Sequence, residues 1–84
     1  MKIFYTQSAV ADLKRLPRDA QKRIATKMRF YAAEKQPLKF AERLTDAREG
    51  QYRFRIGAYR VIFDLEHNEL WVLKIGKRSE VYER

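Results

Sequence analysis

The residues able to do chemistry gather in the second half of the chain. Tyr52-Arg53-Phe54-Arg55-Ile56 alternates apolar and basic side chains, and Tyr59-Arg60-Val61-Ile62 follows after Gly57-Ala58. Strand side chains alternate between faces, so Arg53 and Arg55 share one. Gly57-Ala58 reads as a two-residue turn with glycine first, the pattern of a type II′ hairpin. Counting outward from it pairs Ile56 with Tyr59, Arg55 with Arg60, Phe54 with Val61 and Arg53 with Ile62. Like charges directly across a sheet repel, whereas an anion bonded by both guanidiniums turns that repulsion into a site. The plainer alternative is a solvated sheet face with Asp64 or Glu69 as neutralising partners. Lys77, Arg78 and Tyr82 follow the next apolar run, and a meander returns that end of the chain toward Arg53 and Arg60.

Guanidiniums with a phenol suit phosphodiester chemistry on RNA. The substrate brings its own nucleophile, the 2′-hydroxyl, and the protein orients it and neutralises charge on the phosphorane. Other chemistries lack their residues: cysteine is absent, and no histidine and carboxylate cluster has metal-ligand spacing. No glycine-rich phosphate loop or Ser/His/Asp set is present. His67, the single histidine, falls in a Glu66-His67-Asn68 turn and reads as a solvent-facing turn residue. Arginine stays protonated, so the proton acceptor must be another group. Positive neighbours favour phenolate, which makes Tyr82 a candidate base; an amphipathic edge-strand tyrosine is the alternative.

Several elements must position these groups. Lys2–Tyr5 reads as a strand, and Ser8 as the N-cap of a helix from Ala9 carrying Val10, Leu13 and Leu16 as far as Pro17. Ala20, Ile24, Met28 and Tyr31 form the apolar stripe of a second helix, with Lys22, Arg23 and Lys27 off it. Residues 35–50 read as a linking loop in which Leu38, Phe40 and Leu44 tuck against the core. Leu70–Ile75, almost continuously apolar, suits a central strand covered on both faces and ended by Gly76. The expected class is α+β: an N-terminal strand, a two-helix hairpin and an antiparallel β-meander.

Eighty-four residues, 45% of them hydrophobic, suit one small domain over 1–84. A net charge of +8 calls for a polyanionic partner. The absence of cysteine fits a reducing cytoplasm, no apolar run approaches the roughly 18 residues of a membrane span, and residues 1–5 lack a signal peptide's pattern.

The run Tyr52–Phe63 and the run Val72–Tyr82, with its Gly76-Lys77-Arg78-Ser79-Glu80-Val81-Tyr82 end, resemble the RelE/ParE superfamily of bacterial and archaeal toxins, and the likeness covers nearly the whole chain. The resemblance implies a RelE-like ribonuclease fold and a ribosome-dependent endoribonuclease that enters the decoding site, cuts messenger RNA without a cofactor and is inhibited by a cognate antitoxin in a hetero-oligomer. Carried over by position, it implies Arg60, Arg78 and Tyr82 as catalytic groups and Arg53 and Arg55 as RNA-binding ones; Lys77, a cation next to Arg78, is read as a further RNA contact. The best-known nuclease members carry lysine where Arg53 and Arg55 stand. Lys22, Arg23 and Lys27 add a basic helical face for ribosomal RNA. Two other readings stand beside this one: the gyrase-poisoning branch of the same superfamily, and a nucleic-acid-binding module without catalysis.

Overall fold

The computed structural model describes residues 1–46 and 48–77. The elements are β1 (Lys2–Tyr5), α1 (Gln7–Lys14), α2 (Arg18–Ala33), a 3-10 turn (Pro37–Phe40), β2 (Ala41–Arg43), β3 (Tyr52–Ile56), β4 (Tyr59–Glu66) and β5 (Glu69–Lys77). They build one sheet in the order β1-β5-β4-β3-β2, in which β1 runs parallel to β5 and the other neighbours are antiparallel. The α+β class and the helical hairpin are as the periodicity predicts.

One face of the sheet packs under the helices. Ile24, Met28 and Tyr31 of α2 and Ala9 of α1 share a cluster with Phe54, Ile56, Val61, Phe63, Leu70, Val72 and Ile75. Aromatic rings run through it from surface to core: Phe30 meets Phe40, Phe40 stacks on Tyr31, Tyr31 on Phe54 and Phe54 on Phe63, with centroids 4.3–5.7 Å apart. Stacked and edge-on rings at such spacings attract beyond the area they bury, so this line ties α2 to the 3-10 turn and to β3 and β4.

Four local readings are corrected. The cap of α1 is Thr6, whose hydroxyl accepts the Ala9 N–H at 3.1 Å while its own N–H donates to the Val72 carbonyl. It closes the β1–β5 ladder and opens the helix at once, two residues before Ser8. The buried line of α1 is then Ala9 and Asp12, with Val10 exposed. Residues 35–50 hold a 3-10 turn and an edge strand, β2, paired to β3 through Glu42↔Arg53. Finally, β5 runs on through Gly76 to Lys77 and is covered unequally. A bulge between the pairs Ile62↔Lys74 and Phe63↔Val72 turns Val72 and Ile75 to the helices, while Trp71 stacks on Phe4 on the other face.

On that other face the chain at Gly50 lies against Ile62, which is buried. The close approach depends on glycine at this position. Its φ is +145°, and a Cβ there would stand 2.6 Å from Ile62 Cγ2 and 3.1 Å from Leu73 Cδ1. Gly50→Ala should therefore cost about 3 kcal/mol, combining backbone strain with overpacking. For a chain of this size that lowers the melting temperature by roughly 10 °C or more. A thermal melt followed by circular dichroism checks it; a midpoint unchanged from wild type would contradict the account.

Candidate nucleic-acid interface

The two tight turns set the register of the basic strands. Gly57 takes φ +62° and Ala58 stays at negative φ, as a type II′ turn requires, and His67 and Asn68 are both at positive φ, as in type I′. The ladder pairs Ile56↔Tyr59, Arg55↔Arg60, Phe54↔Val61 and Arg53↔Ile62, the counted register. Arg53, Arg55 and Arg60 thus belong to the face away from the helices.

They are held differently. Arg53 Nε donates to Glu42 Oε1 at 2.7 Å, and Arg55 Nε lies 3.4 Å from the same oxygen. The neutralising carboxylate is thus Glu42 of β2. Asp64 instead accepts the Gln51 N–H and Glu69 the Trp71 indole N–H. The hydrogen bond from Arg53 holds the Glu42 carboxyl below the ordinary carboxylate range; the charges of Arg53, Arg55 and Arg60 reinforce this and desolvation opposes it.

Arg60 does not stand out toward Arg55. It is 6% exposed, and its Nη1 donates to the Tyr59 carbonyl at 3.0 Å and the Gly57 carbonyl at 3.4 Å, while its Nε has no hydrogen-bond partner among the described residues. Its neighbour on β5 is Gly76, which places no side chain beside it. A guanidinium taken from water and bonded to carbonyls rather than a carboxylate keeps its charge and part of its donor fork unspent.

The remaining predicted cations are spread out. Lys77 pairs across from Tyr59, which puts it on the helix side of the sheet, one rung from Arg60. Arg23 reaches the β3–β4 hairpin: a side chain at position 57 would meet its Nη1 at 2.9 Å, so glycine there lets the guanidinium lie across the turn. Lys22 and Lys27 are exposed on the outer side of α2, Lys27 5.8 Å over the Phe30 ring. Arg78 and Tyr82 lie outside the described residues.

Two residues escaped the sequence reading. Glu42 was hidden with its strand, although an isolated carboxylate ten to fifteen residues before a basic strand was a signal to weigh. Asp12 is a buried carboxylate on the inward line of α1, readable as an acid three residues from Ala9 and four before Leu16.

Two helices over one face of a five-stranded sheet, with arginines on the other, is the fold of the RelE-type toxins. The chain superposes on a chain of the RelBE2 toxin–antitoxin complex of Mycobacterium tuberculosis with a TM-score of 0.75 and 23% identity, over 92% of this chain and 96% of that one. For the archaeal RelE–RelB complex of Pyrococcus horikoshii the TM-score is 0.72 and the identity 26%, over 92% and 93%. For the RelB–RelE complex of Methanococcus jannaschii the values are 0.69 and 20%, over 95% of each chain. No curated protein matches significantly. The family model described as the ParE toxin of type II toxin–antitoxin systems, parDE, matches residues 3–82. The chain belongs to this family and is a RelE/ParE superfamily toxin of a type II toxin–antitoxin system.

Proposed function

We propose that this toxin is a ribosome-dependent endoribonuclease that cuts messenger RNA in the decoding site. The observation that carries the reading is Arg60, a buried guanidinium with an unpaired Nε, beside two further arginines on one sheet face. In the proposed step the 2′-oxygen attacks the adjacent phosphorus, the bond to the 5′-oxygen breaks, and the products are a 2′,3′-cyclic phosphate and a 5′-hydroxyl end. Arg60 and Arg78 hold the phosphate and stabilise its added charge. Arg53 and Arg55 orient the RNA backbone, and for this an incoming phosphate must draw them from Glu42. Tyr82 takes the proton of the 2′-hydroxyl, and water supplies the proton to the departing 5′-oxygen. Incubating the protein with translating ribosomes and mapping the new 5′ ends tests the assignment.

A second reading is favoured by the family model, which is that of ParE: the protein poisons DNA gyrase and cuts no RNA. The unspent Arg60 fork supports the nuclease instead, since it suits a small, highly charged group.

Lys22, Arg23, Lys27 and Lys77 supply phosphate contacts to RNA, and these act through charge without base geometry. Replacing Lys22, Arg23 and Lys27 together with alanine should raise the toxin concentration for half-maximal cleavage and leave the cut position unchanged. The salt dependence of binding should flatten by about 0.7–0.9 in log–log slope for each lost contact. An unchanged slope from filter-binding titrations would remove the helix face from the interface. The partner that restrains the toxin is a cognate antitoxin in a hetero-oligomer: the three superposed structures are toxin–antitoxin complexes, and a net charge of +8 suits an acidic, amphipathic chain. The site of action is the cytoplasm, where ribosomes are; no helix among the described residues is long and apolar enough to cross a membrane.

A further inference from the structure

The strand β5 changes neighbours along its length. As far as Val72 its outer edge is laddered to β1, and Thr6 extends that contact with its N–H on the Val72 carbonyl and its hydroxyl on the Leu73 carbonyl. The chain then turns into α1. Beyond the bulge β5 continues along β4, with Ile75, Gly76 and Lys77 opposite Val61, Arg60 and Tyr59. No strand among the described residues pairs with the outer edge of this limb.

Asp12 meets that edge. Its Oδ2 accepts the Ile75 N–H at 3.0 Å in a buried hydrogen bond spanning 63 positions of sequence, and its Oδ1 accepts from Arg15 Nη2 at 2.6 Å. The residue is 7% exposed, whereas the side chain of Arg15 is 72% exposed. A solvated partner adds little, so the Ile75 bond is the stronger reason for a carboxylate among apolar neighbours. Leucine would fill that inward line of α1 but would leave a buried N–H unpaired.

We propose that Asp12 is a positioning residue for RNA cleavage: it fixes the terminal limb of β5, keeping Gly76 against Arg60 and so confining the Arg60 guanidinium to the orientation in which it meets the phosphate. The limb has β4 on one side and the Asp12 carboxylate on the other. Releasing the carboxylate lets the limb part from β4 and widens the space beside Arg60, where its side chain can leave the Tyr59 and Gly57 carbonyls. The proposal rests on Arg60 as the phosphate-holding group.

The test compares Asp12→Ala with Asp12→Asn, whose amide oxygen still accepts. Loss of this buried bond should speed amide exchange at Ile75 about tenfold or more in Asp12→Ala, with Leu70 and Val72 unchanged. The same variant should cut programmed ribosomes about tenfold more slowly at saturation with an unchanged half-saturating concentration, the pattern of a misplaced stabilising group. Asp12→Asn should recover both within about threefold, because it restores the acceptor. An Asp12→Ala protein with wild-type exchange at Ile75, or a wild-type cleavage rate, overturns the proposal, as does Asp12→Asn being as impaired as Asp12→Ala. If Asp12→Ala does not fold, Asp12→Glu, which keeps the charge but displaces the oxygen, replaces it and should show the same two losses. A wild-type toxin that leaves messenger RNA intact overturns the nuclease reading; the exchange experiment then still judges whether Asp12 holds β5.

Discussion

Arg60→Ala is expected to slow single-turnover cleavage of messenger RNA on programmed ribosomes by about 10²-fold or more, the usual cost of removing an oriented donor to a developing charge. The protein should remain folded. A buried guanidinium with an unpaired Nε contributes little net stability, and its removal strands no carboxylate, since its hydrogen bonds go to main-chain carbonyls. Arg60→Lys keeps the charge without the planar fork and should fall between wild type and alanine. Ribosome binding, carried by many phosphate contacts, should change far less than the rate. A rate for Arg60→Ala within about threefold of wild type, at equal occupancy, would show that no transition-state interaction was lost.

Tyr82→Phe should lower the cleavage rate by about 10²-fold, at the lower end of what a general base contributes. Glu42→Gln should leave it nearly unchanged. The two residues are distinguishable because Glu42 is already ionised: hydrogen bonding from Arg53 holds it below the ordinary carboxylate range, so it is a weak proton acceptor at neutral pH. With Tyr82 as base, the rate should rise about tenfold per pH unit as the phenolate fraction grows below its pKa. With Glu42 as base, the profile above acidic pH would be flat. A collapse in Glu42→Gln, together with a flat profile and a wild-type rate for Tyr82→Phe, would transfer the proton to Glu42. Its acid strength would then have to weaken when RNA draws Arg53 and Arg55 away.

What could be read in advance was what local chemistry determines. The β3–β4 register followed from Gly57-Ala58, because a two-residue turn leaves a single way to count outward. The inward line of α2 followed from Ala20, Ile24, Met28 and Tyr31, all buried. What stayed hidden depends on contacts distant in sequence. β2 has three residues after a proline-led turn, too few for alternation to show, and with it went the pairing of Glu42 with Arg53 and Arg55. The parallel pairing of β1 with β5 joins the two ends of the described chain, and no local pattern encodes it. Opposite strand positions correctly placed Arg55 and Arg60 on one face, but burial turned the Arg60 side chain back over its own hairpin. Alternation also put Lys77 on the helix side, a consequence of its register with Tyr59 that position in sequence alone did not reveal.

The central claim is settled most directly by giving the purified toxin two substrates side by side: ribosomes stalled on a defined messenger RNA with an open decoding site, and gyrase with supercoiled DNA. The account predicts a new 5′-hydroxyl end within the decoding-site codon, a 2′,3′-cyclic phosphate on the upstream fragment, loss of both with Arg60→Ala, and no trapped gyrase–DNA cleavage complex. Intact messenger RNA together with accumulated gyrase–DNA complexes would contradict it and assign the toxin to the gyrase-poisoning branch.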